Sequence, residues 1–317
     1  MPRIDRPYVG IPSFLRAPIC EDLAELTAPI AVYGVPFDEG SPFLPGSRMG
    51  PRAIREHSLR FTGGLYDPAT RRELLKPELA GRMIADVGDV DIAPTHVEKS
   101  FANITATVKG ILARGALPVG LGGDHSIAYP IFRAFERPVH ILHFDAHMDY
   151  AEEEDGMRFT NGHAFRHMAG LDTALSLTQV GIRSLRSQRK QHRDIEARGN
   201  RVVPMPEVRA LGPAGIAALL PEGAPVYVSI DIDALDMSLV PGCVSGEPDG
   251  MTYPELRDAL ATVAARCEVV GFDLVEVNPP LDVGTGATAY LGATLVIGFL
   301  AEICAQPRWR DAHPVQA

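Results

Sequence analysis

The sequence is short of basic charge, of cysteine and of uninterrupted apolar stretches. Against 40 acidic residues it sets 30 lysines and arginines, for a formal net charge of −10 at pH 7. A nucleic-acid groove or an anionic membrane surface would be repelled at long range, so neither is an expected partner. The cysteines Cys20, Cys243, Cys267 and Cys304 show no CxxC spacing. That argues against a zinc knuckle or a disulfide framework and makes a reducing cytoplasm the expected home. The stretch Met1–Pro18 holds prolines and charges where a secretory signal needs an apolar core. The longest apolar run, Ala293–Ala305, contains Glu302 and falls short of the roughly 20 residues that cross a bilayer. Linkers, repeats and low-complexity segments are also missing, so residues 1–317 read as a single domain.

What is present is alternation. Short runs rich in Val, Ile and Leu are followed by stretches with helical spacing, which predicts parallel βαβ units and an α/β fold. The expected strands are Pro29–Val35, Met83–Val87, Leu117–Gly122, Val139–Asp145, Leu177–Ile182, Val226–Asp233 and Val269–Val277. The expected helices are Pro51–Leu59, Val97–Arg114, Ile127–Phe135, Gln188–Arg198, Tyr253–Ala265 and Ala287–Ala305. The strands read as continuous apolar runs, as they must if helices cover both faces of the sheet. The longest polar interruption, Ala151–Gly162, follows a strand's C-terminal end, the edge at which open α/β sheets bind ligands.

Chemistry-bearing residues collect at these strand ends. Gly122-Gly123-Asp124-His125 allows a tight turn that can aim an imidazole into the crevice above the sheet. In His143–Asp149, extended alternation puts Asp145, His147 and Asp149 on one side, with Phe144, Ala146 and Met148 in the packing. Alternation likewise pairs Asp231 with Asp233. Carboxylates grouped in apolar strands are costly without a cation, so these clusters point to a pair of divalent ions that share ligands. Mixed oxygen and nitrogen ligation without thiolate suits Mn²⁺, with Ni²⁺, Co²⁺ or Zn²⁺ as substitutes. Two such ions acidify a water for hydrolysis, and redox work is not indicated. Glu276, at the end of the last strong strand, can offer a planar guanidinium paired hydrogen bonds.

Together these residues resemble the ureohydrolase family of arginase, agmatinase, guanidinobutyrase and proclavaminate amidinohydrolase. The stretches GGDHS (Gly122–Ser126), DAHMD (Asp145–Asp149), SIDIDALD (Ser229–Asp236) and DLVEVNPP (Asp273–Pro280) are similar to that family's motifs and stand in the same order. The likeness extends upstream through Gly34–Arg55 and Ile11–Arg16. It implies a three-layer αβα sandwich around a mostly parallel sheet, an N-terminal extension over about residues 1–28, and a homo-oligomer, trimer or hexamer. It also implies that His125, Asp145, Asp149 and Asp231 hold one manganese and that Asp145, His147, Asp231 and Asp233 hold the other. Asp149, Glu276 and a proton-shuttling histidine would be catalytic, with Glu276 presenting the substrate guanidinium to a hydroxide shared by the ions. Products would be an amine and urea.

The agmatinase branch fits better than arginase proper, because no Ser-Gly-Asn segment for an α-amino acid appears in Met148–Arg166. Agmatine is therefore the expected substrate. Where the agmatinase-like pattern has its shuttle histidine, this chain has Asn161, and His163 follows two places later. An amide does not titrate near neutral pH, so either His163 donates the proton from a shifted position or the chemistry needs less acid help, with Asn161 and His163 the expected substrate contacts. Pro241–Pro248 replaces the family's Pro-Gly-Thr-Gly-Thr-Pro loop, so Cys243 and Val244 are expected to change the pocket lining. Rival readings are a guanidinobutyrase or guanidinopropionase, and a metal-binding subunit that is catalytically idle. A basic residue near Glu152–Asn161 would favour an acidic substrate, and the only one there is Arg158.

Overall fold

In the computed structural model, residues 6–61 and 64–314 are described. The strands are β1 Ile30–Val35, β2 Tyr66–Asp67, β3 Arg72–Glu73, β4 Ile84–Asp89, β5 Leu117–Gly122, β6 Val139–Phe144, β7 Ala174–Ile182, β8 Arg201–Pro204, β9 Pro225–Asp231 and β10 Glu268–Val275. The helices are α1 Gly50–Ser58, α2 Lys76–Ala80, α3 Val97–Ala113, α4 Ala128–Phe132, α5 Ala164–Met168, α6 Arg189–Ala197, α7 Met205–Ala217, α8 Tyr253–Arg266, α9 Ala287–Ala305 and α10 Pro307–Ala312. Eight strands form one sheet in the order β4-β1-β5-β10-β9-β6-β7-β8, and every pairing in it is parallel. β2 and β3 form a separate antiparallel pair.

Alternation along the strands divides the core in two. Ile30 and Val32 of β1 pack with Ile54 of α1 and with the apolar faces of α7, α8 and α9. Ala31, Tyr33 and Val35 pack on the other side with α3, α4 and α5. This is the three-layer αβα arrangement. Phe101, Ile104, Val108 and Ile111 form the buried stripe of α3 at helical spacing. A capping box starts α8, with the Thr252 hydroxyl accepting from Glu255 N and the Glu255 carboxylate accepting from Thr252 N.

Three expected strands run too far. β6 stops at Phe144, β9 at Asp231 and β10 at Val275. Each chain leaves the sheet at the acidic residue itself. Asp231 Oδ1 accepts from Asp233 N and starts a 3-10 turn over Ile232–Ala234, while Glu276 turns out with φ 63°. β8 and α7 were not expected from the sequence. β8 is a four-residue edge strand, and α7 is interrupted at Gly212 (φ 60°) before Pro213, which breaks the periodic signal. α9 exceeds the apolar run read from the sequence: at 19 residues and a mean hydropathy of 1.7 it is long and apolar enough to cross a membrane, yet 67% of that window is buried inside the fold.

Of the expected extension over residues 1–28, residues 1–5 lie outside those described. Phe14 and Leu15 are buried, and Phe14 N donates to Asp86 Oδ2. The Arg55 guanidinium makes a two-pronged pair with Asp86, from Nε at 2.8 Å and Nη2 at 2.9 Å.

The loop after β5 is joined to the β1 exit through the backbone. Gly123 N donates to Val35 O, and Asp124 N to Phe37 O, so β1 and β5 exits are stitched together. A Cβ on Gly123 would fall 1.8 Å from Phe37 O, against backbone that cannot rotate aside. Gly123→Ala is expected to cost about 1–3 kcal/mol of unfolding free energy, read in urea titrations. It should also weaken divalent-metal uptake, because His125 is two residues on. Wild-type stability and uptake would show that the loop adapts.

Candidate metal centre

The four central strands, β5, β10, β9 and β6, are neighbours, and their C-terminal ends are level: Leu274 pairs with Leu121, Val275 with Asp231, and Phe144 with Ile230. Residues that leave these four ends therefore meet over the middle of the sheet, at the edge where open α/β sheets bind ligands. β5 delivers His125, β6 delivers Asp145, His147 and Asp149, β9 delivers Asp231 and Asp233, and β10 delivers Glu276.

His125 Nδ1 lies 3.0 Å from Asp145 Oδ2, 3.2 Å from Asp231 Oδ2 and 3.3 Å from Asp149 Oδ2. His147 Nδ1 lies 3.2 Å from Asp145 Oδ1 and 3.1 Å from Asp233 Oδ2. Asp145 thus turns one oxygen to each imidazole, and the cluster has two lobes that share it. The convergence does not come from strand alternation, as expected, because Asp145 onward is loop. Asp149 adopts a left-handed φ of 44°, and His147 N donates back to Asp145 Oδ1.

Around this cluster a second set of side chains holds the first. His125 Nε2 is 2.9 Å from Ser229 Oγ, which donates to Asp273 Oδ1. His143 Nε2 is 2.7 Å from Asp145 Oδ2, its Nδ1 faces Gln179, and its ring stacks on Phe165 at 3.6 Å. The spacing of His143 and Asp145, two apart across the end of β6, was the signal that could have singled out His143. Ser229 and Asp273 carried none, because their contact joins different strands.

The charges do not balance by themselves. Burial raises the pKa of Asp231 and of Asp149, in both cases reinforced by neighbouring carboxylates, and it raises Glu276 beside Asp231 and Asp124. Burial also opposes protonation of His147, but Asp233 and Asp145 outweigh it and push the imidazole up to about 12. His125 rises against burial through its bonds to Asp145 and Asp231, whereas burial takes His143 down to about 4. Glu276 Oε2 is buried without a hydrogen-bond partner, and Asp233 Oδ2 faces only the His147 imidazole. Excess buried anion and unspent oxygens fit divalent cations, and the oxygen and imidazole donors fit hard or borderline ones. Among the described residues, the combinations that could hold a metal include His125 with His143 and Asp145, and Asp145 with His147 and Asp233.

A cavity of about 190 Å³ opens beside the cluster, lined by Asp149, Asn161, Asp231, Asp233 and Glu276 among others. Asn161 Nδ2 donates to Glu276 Oε1 at 3.3 Å, and His125 N donates to the same oxygen. His163 is elsewhere: it does not line the cavity, its Nδ1 meets Thr160 Oγ1 and its Nε2 donates to Glu152 O. From the loop that departs from the family pattern, Ser245 reaches the cavity wall, while Cys243 sits behind it near Asp231 and Asp233 with its thiol pKa raised by burial. Sequence reading also missed Arg186, which lines the cavity from the segment after β7, and Glu247, which pairs with it at 3.2 Å. A larger cavity of about 1070 Å³ opens at the opposite sheet edge, by Leu117 and Val269 at the starts of β5 and β10, away from this cluster.

A model of the arginase family matches residues 28–301. Guanidino acid hydrolase, mitochondrial, of Homo sapiens is 36% identical over 308 residues, which is 95% of this chain and 84% of the relative. Agmatinase, mitochondrial, of Gallus gallus is 35% identical over 301 residues, 92% of this chain and 85% of the relative. The solved structure of proclavaminate amidino hydrolase from Streptomyces clavuligerus superimposes with a TM-score of 0.84 at 29% identity, covering 94% of this chain and 98% of that one.

Chelation should lower the melting temperature, and divalent metal at 100 times its Kd should restore about 2.7 kcal/mol for each site filled. A melting curve indifferent to EDTA and Mn²⁺ would remove the metal centre. His163→Ala should leave the pH profile of kcat in place, since neither ring nitrogen faces the cavity; a lost acidic or basic limb would put His163 back into proton transfer.

Proposed function

The chain belongs to the arginase family of hydrolases acting on guanidino compounds, and on that premise we propose that it cleaves a linear guanidine to an amine and urea with two bound manganese ions. The observation that supports this most directly is the shared Asp145, with Oδ2 at 3.0 Å from His125 Nδ1 and Oδ1 at 3.2 Å from His147 Nδ1. His125, Asp145, Asp149 and Asp231 would hold one ion, and Asp145, His147, Asp231 and Asp233 the other, with Ni²⁺, Co²⁺ or Zn²⁺ able to substitute. When bound, such a pair supplies Lewis-acid chemistry that makes water nucleophilic near neutral pH.

The protein's own residues do the rest. Glu276 has a buried Oε2 without a partner, so it can accept an N–H of the guanidinium and fix the plane of the reacting carbon. Asn161, bonded to the other Glu276 oxygen, orients that carboxylate and adds no titrating group. Asp149 lines the cavity and can pass a proton from the attacking water to the departing amine at its carboxylate. His163 does not line the cavity and His147 is placed among the metal ligands, which supports Asp149 as the group for this transfer. Free cysteines throughout support a reducing compartment, and a homo-oligomer in the cytoplasm completes the reading.

The expectation of agmatine rests on the missing Ser-Gly-Asn segment and on the shortage of bases in the Glu152–Asn161 loop, where Arg158 turns to Glu98. A base reaches the cavity from another segment, Arg186, and this supports the guanidino acids.

Urea release is to be measured with Mn²⁺ and separately Ni²⁺, across agmatine, arginine, 4-guanidinobutyrate, 3-guanidinopropionate and guanidine. Metal-dependent turnover of at least one is expected, and Asp145→Ala should lower it more than about 100-fold. Silence across the panel with both metals bound would replace this reading with an idle metal-binding subunit or a different amidine substrate.

A further inference from the structure

We propose that the substrate carries a carboxylate tail and that Arg186 receives it, so that the protein acts on ω-guanidino acids in preference to guanidino amines. The inference rests on the guanidino-hydrolase reading above and adds the charge of the end that does not react.

The cavity has two walls of opposite character. One presents Asp149, Asp231, Asp233 and Glu276, which suit a guanidinium. The other is built from the segment after β7 and presents Arg186, Ser187 and Gln191. From Arg183 to Arg193 that segment has five basic residues and no acidic one, in a chain whose net charge is −10.

Two of those charges are already engaged. Arg183 donates to the backbone carbonyls of Gly181, Asp233, Leu235, Glu247 and Pro248, which ties the segment to the β9 exit. Lys190 pairs with Glu152, and Glu152 is also held by Arg166 at 2.8 Å. Arg186 differs. Its side chain is 63% exposed, and its partners are Ser184 Oγ at 3.4 Å from Nε, with His147 Nε2 at 2.5 Å and Glu247 Oε1 at 3.2 Å from Nη2. Nη1 donates to none of the described residues.

His147 turns Nδ1 inward to Asp145 and Asp233 and Nε2 outward, 3.4 Å from Glu247 Oε1. Nη1 is the part of the Arg186 fork left for a planar carboxylate. The first turn of α6, just beyond, is capped by neutral glutamines and has no acidic side chain, which adds to the same sign of field. The one carboxylate facing Arg186, Glu247, is shared with the Ser184 hydroxyl and His147. A cationic tail would face an arginine and no free acid.

The test uses metal-loaded protein of verified metal content and three guanidines of similar length: 4-guanidinobutyrate, butylguanidine and agmatine. Wild type should show the highest kcat/KM on the acid. Arg186→Gln should lower the acid-to-butylguanidine ratio of kcat/KM roughly 10- to 100-fold, the worth of a charge-assisted bond, mostly through KM. Arg186→Glu should move the preference toward agmatine. Wild-type preference for agmatine, or an Arg186→Gln effect equal on all three tails, overturns the assignment while the guanidino-hydrolase reading stands. No urea from any of the three overturns that reading and this one with it.

Discussion

Carboxylates buried against one another are the constraint to which the rest of this structure answers. Asp145, Asp231, Asp233 and Glu276 are all at most 3% exposed, and Asp149 joins them at the cavity wall. Without cations the group would be strongly destabilising, since burial penalises each charge and each neighbour adds repulsion. Two imidazoles offset part of it. The remainder is the physical argument for divalent ions, and it needs no reference to any relative.

A parallel sheet is the scaffold that can assemble such a group. Its strands all end at one edge, so four neighbouring exits bring side chains from positions 125 to 276 together without a long loop. The apolar cost is met elsewhere: alternate strand residues fill two separate cores, and helices close both faces. At the rim, Asp149 and Glu276 take left-handed backbone angles that side chains other than glycine rarely adopt. Both are residues whose carboxylates must turn back over the sheet, so strain and function coincide.

The layers outside the carboxylates specify rather than supply chemistry. Ser229 and Asp273 fix one imidazole, His143 braces the shared carboxylate, and Glu247 stands behind the other imidazole. The opposite wall then selects. An acidic wall for the reacting end and a basic wall for the tail give the cavity a direction, which places a linear substrate end to end.

Much of this was legible in the residues themselves. Alternating apolar runs announce the α/β class, and carboxylates and histidines crowded at strand ends announce the cation, because those residue types cannot be buried together cheaply otherwise. The two-residue spacing of Asp145, His147 and Asp149 led to an expected convergence along a strand face, whereas the three meet through a loop, which side-chain periodicity does not describe. Short edge strand β8 and the broken helix α7 were hidden because neither offers a sustained period. Contacts between distant segments stayed out of reach altogether. That His163 turns away while Asn161 touches Glu276, and that Arg186 arrives at the cavity from beyond β7, depends on how the exits of separate strands are packed together. Residue chemistry therefore decided which kind of site this protein builds, whereas tertiary packing decided which charges look into it.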